Sequence, residues 1–62
     1  MDRDIILNMD VNILVSLVNM KLRDFYDSLE KFCEDNNITE DEIKSKLIEG
    51  GYNYNKESNS FK

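Results

Sequence analysis

The stretch that decides the fold runs from Asp10 to Tyr26 and reads DVNILVSLVNMKLRDFY. It contains no Gly or Pro, and Asp10 is a suitable N-cap, so the sequence predicts a helix from Val11 to Tyr26. At about 100° per residue its apolar side chains spread over roughly 240°. A surface helix needs an apolar arc of little more than about 100°. We therefore expect either that the rest of the domain encloses this helix or that a second copy packs against it.

Four polar residues interrupt the apolar surface of this helix. They fall within a stripe roughly 60° wide and are Asn12, Ser16, Asn19 and Arg23. Uncharged hydrogen-bonding groups beside one arginine are suited to binding the backbone of another segment, which makes the stripe a candidate partner-binding site. The alternative is that the stripe faces water or fixes the C-terminal segment, with Arg23 paired to Asp24.

Two shorter helices are predicted after the first. Asp27 or Ser28 can cap a helix that ends near Asn36-Asn37, because Asn tolerates the left-handed conformation found at helix ends. Thr39, followed three positions later by Glu42, forms a capping-box pattern that starts another helix. The glycine pair at positions 50 and 51 ends that helix.

The last eleven residues have the composition of a β-hairpin. Tyr52-Asn53-Tyr54 alternates as a strand does, residues 55–58 have turn composition, and Asn59-Ser60-Phe61 can return antiparallel. The predicted fold is α+β and mainly α, with three helices and a C-terminal hairpin over residues 10–62. Residues 1–9 are predicted to be an N-terminal extension, in which Ile5-Ile6-Leu7 either lengthens the first helix backwards or adds a short strand.

The second and third predicted helices have the spacing of a helix-turn-helix pair, and with the hairpin they resemble a small winged helix. The third helix nevertheless begins with Glu40, Asp41 and Glu42, where a DNA reader would contact phosphates. Positions 27 to 42 hold seven carboxylates and a single lysine. This charge argues against nucleic-acid binding, since a DNA-binding domain carries the opposite charge. Glu40, Asp41 and Glu42 are a candidate acidic face.

Composition narrows the function further. The chain has 62 residues, a net charge of −5, no His and one Cys. We expect no enzyme activity, cofactor, metal site or small-molecule ligand, because there is no nucleophile–base pair, metal-ligand cluster or phosphate-binding loop. The N-terminus lacks the long apolar region of a signal peptide, and no apolar run could span a membrane. These features predict a cytoplasmic protein.

Several short motifs together resemble a known family. They are Leu22-Arg23-Asp24 within the run from Asn19 to Tyr26, the spaced tyrosines of Tyr52-Asn53-Tyr54, and the closing Asn59-Ser60-Phe61. The combination resembles the bacterial family catalogued as domain of unknown function four-two-five-zero, over about Asp10 to Lys62, with residues 1–9 as an added segment. The resemblance implies a small bacterial cytoplasmic protein and brings no activity or site residue with it.

The sequence therefore predicts a protein-interaction or self-associating module whose partner is a protein or a second copy. Two alternatives remain open. One is a nucleic-acid-binding winged helix, and the other is an acidic mimic of nucleic acid that blocks a basic site on another protein.

Overall fold

A computed structural model describes residues 2–62 and shows a mainly helical fold with a small C-terminal hairpin. The described residues form four helices and two strands, which are α1 (Arg3–Asn8), α2 (Val11–Asp24), α3 (Leu29–Asp35), α4 (Glu40–Ile48), β1 (Tyr54–Asn55) and β2 (Ser60–Phe61). The strands are antiparallel, with Tyr54 opposite Phe61 and Asn55 opposite Ser60.

The expectation of three helices was wrong, because the N-terminal segment forms a helix of its own. Residues 3–8 neither lengthen α2 nor add a strand. The reason is Asp10, whose carboxylate accepts the backbone N–H groups of Asn12 and Ile13 and so starts a new helix at Val11. Met9 and Asp10 are extended, with ψ values of 149° and 133°, so the chain bends between α1 and α2.

The predicted caps of the two later helices are confirmed. The Ser28 side chain accepts the N–H of Lys31 at the start of α3. Thr39 and Glu42 form the complete capping box of α4. Asn37 adopts a positive φ of 55°, as expected for the turn between these helices.

The first predicted helix, α2, is two residues shorter than expected at its C-terminus. It ends at Asp24, and Asn59 of the hairpin turn donates to the C=O groups of Leu22 and Tyr26 at 3.1 and 3.0 Å. These bonds satisfy carbonyls that would otherwise lack a partner at the helix end.

One apolar core joins all six elements. The residues buried in it are Ile6, Leu14, Val15, Val18, Leu22, Leu29, Phe32, Cys33, Ile38, Ile43, Leu47 and Phe61. Ile6 of α1 is completely buried in this core, so the segment preceding α2 contributes directly to the packing of the domain.

Candidate interaction surface on the second helix

Helix α2 is covered by its own chain on one side only. Its buried residues are Leu14, Val15, Val18 and Leu22. On the opposite side the Ile13 side chain is 63% exposed, while Leu17 and Met20 are half-buried. At about 100° per residue these three lie within roughly 60° of one another. Ile13, Leu17 and Met20 are called the apolar face of α2 below.

The surface around the apolar face carries no charge over most of the helix. Residues 11–20 contain no Asp, Glu, Lys or Arg, although 34% of the whole chain is charged. Charged side chains stand only at the two ends, with Asp10 before the helix and Lys21, Arg23 and Asp24 in its last turn. An uncharged surface with exposed apolar side chains has the composition of a protein interface core.

Asn19 of the predicted polar stripe fixes the hairpin to α2. Its amide Nδ2 donates to the C=O of Phe61 at 3.0 Å, and its Oδ1 accepts the N–H of Phe61 at 2.7 Å. Asn53 and Lys62 exchange two backbone hydrogen bonds at 3.0 and 2.9 Å. Hydrogen-bonded and non-hydrogen-bonded residue pairs alternate along antiparallel strands, so the N–H and C=O of Phe61 point away from β1. The Asn19 carboxamide therefore occupies the outer edge of β2 as a neighbouring strand would.

The other three residues of the stripe lie at the surface of α2. Asn12 Oδ1 accepts the hydroxyl of Tyr52 at 2.8 Å, and Ser16 Oγ donates to the Asn12 C=O at 3.4 Å. Arg23 Nε donates to Asp24 at 2.9 Å, which lowers the pKa of the Asp24 carboxyl. Asn12 and Asn19 thus bind the chain's own C-terminal segment, while Ser16 and Arg23 remain exposed. A partner-binding role for the stripe stays a prediction.

The candidate acidic face is partly compensated by the chain's own cations. Glu42 accepts from Arg3 Nε at 2.7 Å and from the N–H of Thr39 at 3.0 Å, and these bonds lower the pKa of Glu42 to about 2. Glu40 lies 3.6 Å from Lys44. Asp41 is exposed beside them. The three carboxylates share the first turn of α4, where the helix dipole favours negative charge.

Sequence reasoning missed two contacts that position this surface. Arg3 and Glu42 are separated by 39 positions, and no local pattern links them. Asn59 adopts a positive φ of 51° and bonds α2, while its Oδ1 accepts the Tyr54 hydroxyl at 2.7 Å. An Asn at the end of a hairpin turn indicates the left-handed conformation, but nothing in the sequence indicates which helix it would reach.

Cys33 is buried in the core, and this burial raises the pKa of its thiol to about 11, so the nucleophilic thiolate is scarce near neutral pH.

Across residues 2–62 no three His, Cys, Asp or Glu side chains are grouped as metal ligands. Over the same range, none of the helices has the length and apolar character needed to cross a membrane.

Comparison with known proteins gives one match. A family model described as a domain of unknown function, DUF4250, matches residues 8–61. No curated protein and no solved structure matches the chain. The matched range begins at the last residue of α1 and includes α2, α3, α4 and both strands.

Proposed function

The chain belongs to the DUF4250 family, a domain of unknown function, and we propose that it is a small non-enzymatic cytoplasmic module that self-associates through the apolar face of α2. The observation that carries this proposal is the 63% exposure of Ile13 on a helix whose residues 11–20 carry no charge. Leu17 and Met20 continue the same surface.

Charge favours a second copy as the occupant of this surface. Two chains of net charge −5 repel each other over most approaches. The repulsion is weakest where two uncharged surfaces meet, and the apolar face offers such a surface to another copy of itself. Paired identical surfaces are also the usual arrangement of a twofold dimer.

An antiparallel pair of α2 helices fits the pattern of side chains. If the helices cross near Leu17, Ile13 of one copy lies against Met20 of the other. The N-terminal end of each helix then lies beside the C-terminal end of its neighbour, which carries Lys21, Arg23 and Asp24, so opposite helix dipoles face each other. Ser16 and Arg23 of the polar stripe would form the rim of this contact.

Sedimentation equilibrium up to millimolar protein tests the proposal, with two matched variants. Ile13→Lys places a charge on the apolar face, while Ile48→Lys makes the same change at a residue that is 51% exposed on α4. We expect a concentration-dependent dimer in the wild type and in Ile48→Lys, and a monomer in Ile13→Lys. A wild type that stays monomeric throughout, or two variants that behave alike, would contradict the proposal.

We further propose that the winged-helix likeness of α3, α4 and the hairpin concerns architecture and not DNA recognition. The start of α4 carries Glu40, Asp41 and Glu42, which would meet phosphates. The same three carboxylates give limited support to a nucleic-acid mimic, since Arg3 and Lys44 already contact two of them. Retention on duplex DNA at low salt would contradict the architectural reading.

A further inference from the structure

Helix α1 depends on a docking site outside itself. It has only six residues, and an isolated helix of that length is not stable in water. The partly buried Leu7 packs against the core, and two further contacts fix α1 to the domain. The Ile6 side chain is completely buried in the core, and the Arg3 guanidinium donates two hydrogen bonds to Oε2 of Glu42 on α4.

The connection between α1 and α2 is short and can change its conformation. Only Met9 and Asp10 separate the helices, and residues 2–24 contain no Gly or Pro. The bend is maintained by the Asp10 cap bonds and by a 3.3 Å bond from the Met9 N–H to the Ile6 C=O. Rotation of two ψ angles from about 140° to the helical value of about −42° would join α1 and α2 into one helix over residues 3–24.

We propose that α1 is exchanged between two copies of the chain. In the exchanged dimer α1 and α2 form one continuous helix, and α1 of each copy docks on α4 of the other. In this dimer Ile6 is still buried and Arg3 still contacts Glu42, but both contacts now join two different chains. The proposal rests on the self-association proposed above and names a second structural route to it.

The reason to expect exchange is that every docking contact is recovered in the other copy. Straightening loses the cap bonds of Asp10 and gains helical backbone bonds at the same residues, so the two forms differ mainly at the connection. Exchange of an identical element is a low-cost route to a dimer. In dilute solution the monomer is favoured, because α1 is tethered to its own docking site. The population of the exchanged dimer rises with protein concentration.

Charge reversal gives a direct test with the full chain. Arg3→Glu and Glu42→Arg each place like charges at the docking site within one chain. When the two variants are unfolded together and refolded, opposite charges meet at both docking sites only if α1 is exchanged. We expect a heterodimer above its statistical share in native mass spectrometry and a melting temperature above that of either variant alone. Glu42→Arg also removes the Glu42 side chain from the capping box of α4. The double variant Arg3→Glu/Glu42→Arg restores opposite charges within one chain and controls for that loss. A mixture that melts as its two components do, with no heterodimer above the statistical share, would overturn the exchange.

A distance measurement tests the continuous helix separately. Spin labels at positions 4 and 24 would lie about 30 Å apart along a straight helix, which exceeds the 26 Å longest dimension of the compact chain. We expect this distance in the concentrated wild type and its loss in Val11→Pro, because proline keeps the preceding Asp10 extended and is tolerated at the first helical position. A wild type that shows only shorter distances as a dimer would overturn the exchange.

The outcomes separate this inference from the proposed function. If Ile13→Lys abolishes the wild-type dimer, and the charge-reversed mixture shows no heterodimer above its statistical share and melts as its components do, the apolar face stands and the exchange is wrong. If the charge-reversed heterodimer forms and Ile13→Lys dimerises as the wild type does, the exchange stands and the apolar face is wrong.

Discussion

The carboxamide of Asn19 forms two hydrogen bonds with the backbone of Phe61, one from each of its polar atoms, at 3.0 and 2.7 Å. A two-stranded hairpin is marginally stable by itself in water. Asn19 pairs with the outer edge of β2, and the Phe61 side chain enters the core beside α2. The hairpin is thus fixed to α2 by a polar contact and an apolar contact at the same residue.

Asn19→Leu should destabilise the fold strongly. Leucine has the same branched shape as asparagine but no polar atoms, so it leaves the N–H and C=O of Phe61 without their partner. Two lost hydrogen bonds of about 1 kcal/mol each, together with partly desolvated backbone groups, predict a loss of about 2–4 kcal/mol. Urea unfolding followed by circular dichroism measures this loss.

The control for that measurement is Asn12→Leu. The side chain of Asn12 accepts one exposed hydrogen bond, from the Tyr52 hydroxyl, so we expect a loss below about 1 kcal/mol. Equal losses in the two variants would show that the edge contact at Phe61 does not hold the hairpin.

Ile6→Ala should show that α1 is part of the folded core. Ile6 is completely buried, whereas its neighbour Ile5 is 56% exposed in the same helix. We expect Ile6→Ala to lower the free energy of unfolding by about 2–5 kcal/mol. Ile5→Ala should change it by less than about 0.5 kcal/mol. Thermal or urea unfolding of the pair tests this, and similar small effects would mean that α1 does not pack as described.

The caps and turns could be predicted because their signals are local. The capping box is indicated by Thr39 and Glu42, which lie within four positions of each other. The left-handed turn is indicated by a single residue, Asn37. In the same way, the order of helices and hairpin after Asp10 followed from the sequence. The extent of α2 at its C-terminus differed, because Asn59 caps it from 35 positions after Asp24. The strands are also displaced from the predicted ranges 52–54 and 59–61, since they are Tyr54–Asn55 and Ser60–Phe61.

Helix α1 and the details of the surface could not be predicted, since both depend on contacts distant in sequence. Ile5-Ile6-Leu7 is compatible with a strand or a helix, and in the structure Ile6 is buried as part of a helix capped by Asp2. The excess of apolar residues on α2 was evident, but which of them the domain would cover was not. The structure shows that Ile13 stays exposed and that Asn19 binds the hairpin.

Cys33 should be protected from thiol reagents as long as the domain is folded. Its thiol is buried and has a pKa raised to about 11, mainly by desolvation. Ellman's reagent at pH 8 should therefore react slowly with the native chain and fast in urea. The reaction rate should follow the unfolded fraction across the urea transition, and a fast reaction without urea would contradict the burial of Cys33.

The contact between Arg3 and Glu42 should make stability depend on acid pH. Arg3, the larger cause, and the Thr39 N–H lower the pKa of Glu42 to about 2 from an ordinary value of 4.5. A carboxylate whose pKa is lower in the folded chain stabilises the fold fully above its unfolded pKa. That stabilisation is lost as the pH falls from about 4.5 to about 2, because the folded chain must then bind the proton.

Urea unfolding of the wild type and of Glu42→Gln at several pH values isolates this contribution from that of the other carboxylates. The stability difference between them should be largest above pH 5 and shrink towards pH 2, and Arg3→Gln should reduce the same difference. A difference that stays constant across this window would show that Arg3 does not hold the Glu42 carboxylate in its charged form.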